Sequence, residues 1–168
     1  PVKPVHIVSY EPIPDIDNSC VSIKVKTSAP CNVTLTVKDG NNKITEQTGA
    51  SDQVFTLSIP SAKLWSPDEP NLYDLDITIN EQGKEIDKVS GYFGMRKFSR
   101  AIADGKPCLL LNNKPLYLYG PLDQGWWPDG LLTPPSYEAM VYDLQVMKDL
   151  GMNMVRKHIK VENDLWFD

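Results

Sequence analysis

In the stretch CVSIKVKT, residues 20–27, Val21, Ile23 and Val25 alternate with Ser22, Lys24 and Lys26. A period of two sends the two sets to opposite faces of an extended chain, so the stretch reads as a strand with one face buried. The pattern recurs downstream. Val33, Leu35 and Val37 alternate with Thr34 and Thr36, Phe55, Leu57 and Ile59 with Thr56 and Ser58, and Leu75, Ile77 and Ile79 with Asp76 and Thr78. Val5 to Val8 adds a first strand, and Ile86 to Met95 a last, less regular one. Turn signals separate these runs at Lys38-Asp39-Gly40-Asn41-Asn42, at 49–52 and at Glu81-Gln82-Gly83.

About seven short strands divided by turns predict an immunoglobulin-like two-sheet sandwich over residues 1–98, in a mainly β chain. The run LWSPDEPNLY, residues 64–73, joins two of the strands. Pro67 and Pro70 stiffen it, and Tyr73 opens the next strand in the manner of a tyrosine corner.

After residue 100 the pattern changes. Leu109-Leu110-Leu111, a turn at Asn112-Asn113 and Pro115-Leu116-Tyr117-Leu118-Tyr119 read as a hairpin of near-continuous apolar strands, the habit of parallel α/β sheets. Ser136 caps a helix of about 14 residues in which Met140, Leu144 and Met147 form a stripe and Gly151 is the stop. Met152 to Arg156 follows as a second short strand, and a further helix begins around Asn163, Leu165 and Trp166. Strand, long loop, helix and strand make one βαβ unit, which cannot cover both faces of its own strands. Residues 99–168 are therefore expected to be the start of something larger. Their apolar strands, with Leu116, Leu118, Met152, Met154 and Val155, offer a second copy of the chain a surface for a homodimer.

Composition excludes several functions. The formal net charge is −5 and the Lys and Arg residues are scattered singly, without the basic stripe of a nucleic-acid groove. No apolar run approaches the ~18 residues of a membrane span, so no membrane partner is expected. The first residues, PVKPVHIVSYEPIP, lack a charged-then-apolar signal layout. Nothing in the residues fixes a location; a periplasmic or secreted one is compatible with them. Cys20, Cys31 and Cys108 show no CxxC or Cys/His ligand spacing and read as buried thiols, although Cys20 and Cys31 could also face one another across a sandwich. Asn32-Val33-Thr34 fits the glycosylation sequon.

Two stretches carry the chemistry. Asp123-Gln124-Gly125-Trp126-Trp127-Pro128-Asp129-Gly130 lies on the C-terminal side of a strand, where α/β proteins place ligand sites. Tryptophan there offers a flat face to a sugar ring, and Asp and Gln offer hydrogen bonds to its hydroxyls; alternatively, Trp126 and Trp127 pin a long loop. Arg156-Lys157-His158-Ile159-Lys160-Val161-Glu162 ends the second strand on the same rim. Alternation turns Arg156 and His158 to one face, to bind a ligand or to complete a structural network. Asp123, Asp129 and Glu162 are the carboxylates near this rim, and nothing in their spacing makes two of them an acid and nucleophile pair. The chain has no HExxH, GxSxG, P-loop or GxGxxG, and no cofactor or metal is implied.

Four ordered motifs carry a resemblance. LWSPDEPNLY (64–73), GYFGMRK (91–97), LLNNKPLYLYG (110–120) and DLQVMKDLGMNMVR (143–156) resemble, in that order, glycoside hydrolase family 2, the family of β-galactosidases, β-glucuronidases and β-mannosidases. The likeness is strong from about residue 60 onward and rests on fold pattern before it. It implies a modular enzyme with a sugar-binding jelly roll, an immunoglobulin-like sandwich and a (β/α)₈ barrel, hydrolysing terminal β-linked sugars with retention. The two catalytic glutamates would lie on the fourth and seventh barrel strands, beyond residue 168, so this chain is expected to be an inactive fragment. The alternative is a non-catalytic carbohydrate-binding or spacer module. Many members have Arg-x-x-His after the second strand; here Ile159 takes the histidine's place and His158 comes two after Arg156. The resemblance implies substrate-binding roles for Asp123, Trp126, Trp127, Arg156 and His158, with no catalytic residue in the chain and a carbohydrate as partner.

Overall fold

The computed structural model describes residues 3–103 and 105–167. The chain divides into two compact units, Pro1–Pro115 and Leu116–Asp168. In the first, β1 (Ile7–Asp15), β2 (Cys20–Thr27) and β5 (Val54–Ser58) form one antiparallel sheet in the order β1-β2-β5. A second sheet has the order β4-β3-β6-β7, from β3 (Asn32–Asp39), β4 (Asn42–Ala50), β6 (Tyr73–Glu81) and β7 (Lys84–Phe93). The two apolar faces meet in one core. Val21, Ile23 and Val25 of β2, Val33, Leu35 and Val37 of β3, Phe55 and Leu57 of β5, and Leu75, Ile77 and Ile79 of β6 are all buried. The alternation of these strands thus gives the two-sheet sandwich expected of them.

Two strands differ from the sequence reading, both at sheet edges. The first runs Ile7–Asp15, well past Val8, through Pro12 and Pro14. Both prolines sit at alternate positions opposite Ile23 and Val21, so both missing N–H groups can lie on the open side of an edge strand. Strand β4 was not expected at all. Nearly every side chain on it is exposed, so there is no buried set to alternate.

On the outer face of the larger sheet, polar pairs follow the register. Thr34 and Thr36 of β3 lie opposite Thr48 and Glu46 of β4 and bond to them at 2.8 and 2.9 Å. Asp76 accepts from Ser90 opposite it at 2.6 Å and from Lys38 at 2.7 Å, with Lys88 at 3.4 Å. Hydrogen bonds from Lys38 and Ser90 outweigh partial burial and hold its carboxyl down to about 2.

The 64–73 corner is fastened from both sides. Trp65 N–H donates to Met95 O at 2.9 Å, Asn71 Nδ2 to Leu64 O at 3.0 Å, and Lys63 N–H to the Tyr73 hydroxyl at 2.8 Å. The Tyr73 ring stacks on Phe93, its register partner, at 5.7 Å. Beyond the sandwich, β8 (Phe98–Ala103) and β9 (Lys106–Leu111) pair antiparallel, and β10 (Lys114–Leu116) completes a small sheet. The boundary expected after residue 98 falls one residue into β8, whereas the compact units divide after Pro115. Asn112 and Asn113 both take positive φ, at 51° and 65°, which makes the tight turn a primed one suited to a hairpin.

The second unit has β11 (Leu122–Asp123), α1 (Tyr137–Asp149), β12 (Arg156–Lys157) and α2 (Asp164–Phe167), with β11 and β12 parallel. The apolar run at 115–119 is not a two-sided buried strand. Strand β10 stops at Leu116, and Tyr117 is 83% exposed. The Asn153 amide serves this stretch in place of a strand, donating to Tyr117 O and accepting from Tyr119 N–H, each at 2.9 Å. The three cysteines are free thiols and half-buried, less enclosed than expected.

Replacing Asp76 with Asn is expected to lower the unfolding free energy by about 2 kcal/mol at neutral pH. Because the folded-state pKa is depressed to about 2, this contribution is complete above about pH 4 and is lost as the pH falls through the folded value. Urea unfolding at several pH values should show parent and variant converging below about pH 3, and parallel profiles would contradict it. Tyr73→Phe leaves the Lys63 N–H without its acceptor and is expected to cost about 1–2 kcal/mol, read as a lower urea midpoint at unchanged slope.

Candidate functional site

The second unit is built around one connection, strand to loop to helix to parallel strand. Ser136 Oγ accepts from Ala139 N–H at 3.2 Å and starts α1, as its position before the apolar stripe predicts. At the other end, Met152 N–H donates to Met147 O and Gly151 N–H to Lys148 O, with Gly151 at φ +77°. This is a Schellman stop, and a side chain at residue 151 would strain it. Met140 of the stripe is buried, and Leu144 and Met147 are half-buried. The chain returns beside β11 so that Leu122 pairs with Arg156 and Asp123 with Lys157. His158 N–H to Asp123 O at 2.8 Å and Arg156 N–H to Pro121 O at 3.0 Å extend the pairing.

Past the C-terminal ends of this pair lies an ion cluster. Lys157 Nζ is 2.5 Å from Asp123 Oδ2 and 2.6 Å from Glu162 Oε1. Lys160 Nζ is 3.0 Å from Glu162 Oε2 and also donates to the carbonyls of Gly125 and Leu132. Asp123 Oδ1 accepts from Gly125 N–H at 2.6 Å. The Trp166 ring lies 4.4 Å from the Lys157 ammonium and covers it. The Glu162 side chain is only 3% exposed. Two ammonium groups balance two carboxylates, so the cluster carries no net charge.

Burial alone would push the Glu162 carboxyl up, but hydrogen bonds from Lys157 and Lys160 outweigh it and hold the group below its ordinary range. Asp123 is treated alike: burial opposes ionisation, and the Lys157 ammonium and Gly125 N–H prevail. Burial likewise works against the Lys157 charge, and the two carboxylates hold its pKa above the usual lysine value. Both carboxylates are thus ionised hydrogen-bond acceptors at neutral pH. Neither is set up to donate a proton.

The loop from 124 to 132 hangs on this cluster. Gly125 is buried at φ +67°, and a Cβ there would meet Glu162 Oε1 at 2.7 Å and Lys160 Cδ at 2.8 Å. Further along, Trp127 and Leu131 exchange both backbone hydrogen bonds, at 2.7 and 3.0 Å, in a closed turn. The two tryptophans separate in character. Trp126 is 64% exposed, while Trp127 is half-buried on the turn. Gln124 Nε2 lies 3.3 Å from His158 Nδ1.

Of the five residues singled out, the structure ties Asp123 into the ion cluster and sets His158 against Gln124. Arg156 is exposed and makes no ion pair among the described residues. Strand β12 ends at Lys157, so alternation orders only Arg156 and Lys157, with Lys157 the residue turned to Asp123. The sequence reading did not single out Lys157 or Lys160, and took Glu162 for a carboxylate on an open rim. Among the described residues no three His, Cys, Asp or Glu gather as a metal site, and no helix is long and apolar enough to cross a membrane.

Residues 5–96, more than half of the chain, match the model of a family described as glycosyl hydrolases family 2. A β-galactosidase of Pseudoalteromonas haloplanktis is 29% identical over 85% of this chain and 15% of its own length. One from Vibrio vulnificus is 31% identical over 76% of this chain and 12% of its own. The chain therefore spans a small part of the curated relatives it matches. Among solved structures, a β-glucuronidase of Ruminococcus gnavus superposes with a TM-score of 0.86 over 99% of this chain and 28% of that one. At 18% identity that likeness concerns the fold alone. The family match and the sandwich it covers agree, and the chain belongs to glycosyl hydrolases family 2.

Proposed function

We propose that this chain is a part of a longer glycosidase that hydrolyses terminal β-linked sugars with retention, in the manner of a β-galactosidase. The single observation that carries the reading is the family match over residues 5–96. In this reading residues 1–98 are the immunoglobulin-like sandwich, and residues 99–168 contain the first βαβ portion of a (β/α)₈ barrel. Parallel pairing of β11 with β12 through α1 supports the second assignment. Asp123, Trp126, Trp127, Arg156 and His158 line one side of the sugar pocket. The exposed Trp126 ring offers a stacking face, Arg156 offers an uncommitted cation, and Gln124 with His158 offers hydrogen bonds.

The catalytic pair lies outside these residues. Retaining hydrolysis needs one carboxylic acid that donates a proton and one carboxylate about 5 Å away that attacks carbon. Asp123 and Glu162 are both held ionised by one lysine, and a raised pKa on one of the two is what the acid role requires. Neither is a catalytic acid in this reading, and the chemistry needs carboxylates from elsewhere.

The purified chain is expected to release no aryl alcohol from a panel of aryl β-galactosides and β-glucuronides. Turnover that disappears with Glu162→Gln would overturn the proposal. In a longer protein carrying this chain, Arg156→Ala and His158→Ala are each expected to lower kcat/KM at least about tenfold, roughly the loss of one charged or strong hydrogen bond to the substrate. Steady-state kinetics with circular dichroism as the folding control checks this, and unchanged kcat/KM in both variants removes them from the pocket.

A further inference from the structure

The segment 158–162 is folded against its own hydrophobicity. Ile159 and Val161 point outward, 84% and 90% exposed, while Lys160 and Glu162 between and after them are turned in. Exchanging the two sets would shelter two β-branched apolar side chains and release two charges to water. The hydrophobic effect favours that exchange, so something opposes it. The backbone pays as well: Ile159 has φ +71°, a conformation that a β-branched residue rarely adopts and that persists only where the surroundings impose it.

What opposes the exchange is what the inward charges hold. Lys160 reaches the carbonyls of Gly125 and Leu132, one at each end of the loop. Glu162 ties Lys160 to Lys157, and Lys157 ties Glu162 to Asp123, whose other oxygen takes the Gly125 N–H. Gly125 has no side chain, and any Cβ there would displace the Glu162 carboxylate. The contacts converge on the loop backbone and leave the side chains of Gln124 and Trp126 outside the cluster.

We propose that Lys157, Lys160 and Glu162 are positioning residues, a charged latch that fixes the 124–132 loop so that Gln124 and Trp126 face the ligand in one pose. The role as a ligand wall rests on the function proposed above; the latch itself is a property of the chain and is tested without ligand. Its working parts are the shared ammonium of Lys157 and the two-ended grip of Lys160.

The test is hydrogen exchange resolved by segment on the 168-residue chain. Lys157→Met alone leaves two carboxylates against one ammonium, and its loss of stability could be general. The informative variant is therefore Lys157→Met with Glu162→Gln, which removes one charge of each sign and leaves Asp123 and Lys160. This pair is expected to restore the protection of α1 to that of the parent, while residues 124–132 exchange about tenfold faster or more. Lys157→Arg, which keeps a cation between the two carboxylates, is expected to return loop protection most of the way to the parental level. Loop protection in the double variant equal to the parent's would overturn the latch. So would a parallel loss of protection in loop and helix, which marks a general stabilising role. Arg156→Ala in the longer protein tests the ligand reading separately, since the Arg156 side chain makes no ion pair with the latch among the described residues. A loosened loop in the double variant with unchanged kinetics in Arg156→Ala keeps the latch and rejects the pocket assignment of Arg156; the reverse result does the opposite.

Discussion

An extended backbone turns successive side chains to opposite sides, and the sandwich is organised by which alternate set it buries. In the sandwich the buried set is Val, Ile, Leu and Phe, and both sheets present it to a common core. Each fully buried side chain of this kind contributes roughly 1.5–3 kcal/mol relative to exposure, which leaves no doubt about register. A slip of one residue in β2 would put Ser22, Lys24 and Lys26 into the core. The outer face is then free to be polar. It is used for cross-strand pairs such as Thr36 with Glu46 and Asp76 with Ser90, which refine a register already fixed from inside.

In the second unit the buried Glu162 sits in an ionic cluster, and there the energetic logic differs. Bringing charges out of water costs several kcal/mol per ion, and good pairing recovers this without a large surplus. The cluster of Asp123, Lys157, Lys160 and Glu162 satisfies that condition by sharing: each lysine is gripped by a carboxylate, and the Lys157 ammonium is also covered by an indole face. Removing one partner leaves an unbalanced buried charge. The gain from such a cluster is therefore a unique arrangement more than stability, and it shows in the exposed Ile159 and Val161. The same pairing removes both carboxylates from acid–base work.

The division between what the residues announced and what they hid follows from these two kinds of burial. The core strands β2, β3, β5 and β6 are legible because hydrophobic burial is local and periodic. The helix α1 is legible from Ser136, its Met and Leu stripe and Gly151, each of which acts within a turn of itself. Edge strand β4 has no buried side and so no period, and the two prolines of β1 mask an edge strand that tolerates them. The apolar run at 115–119 misleads because apolarity alone does not distinguish a buried strand from an exposed segment held by Asn153. At the candidate site, Asp123 and His158 were singled out from their place at strand ends, and Glu162 was named only as a carboxylate near the same rim. Lys157 and Lys160 were not, because their meaning lies in contacts across 25 residues or more of chain, to Asp123, Gly125 and Leu132. A signal was nevertheless present: charges at alternate positions with Ile159 and Val161 between them are ambiguous about which set is inside.

A ligand loop can be anchored either by burying its aromatic side chains or by holding its backbone. The first method uses up the surface that a sugar would need. Here the backbones of Trp127 and Leu131 close the turn, Trp127 is half-buried, and Trp126 is left outward. The backbone is gripped instead, at Gly125 and Leu132, by a lysine whose own charge is neutralised by Glu162. In the proposed function neutralisation would matter for recognition: a sugar hydroxyl at this loop would meet dipoles and the Arg156 cation, which makes no ion pair among the described residues, without competition from the buried charges. Rigid presentation of the proposed wall would lower the ordering cost of binding, since a latched loop needs no ordering when a ligand arrives. A charged cluster is suited to this task because it is directional. Hydrophobic packing would tolerate small slides of the loop, whereas hydrogen bonds to two named carbonyls do not.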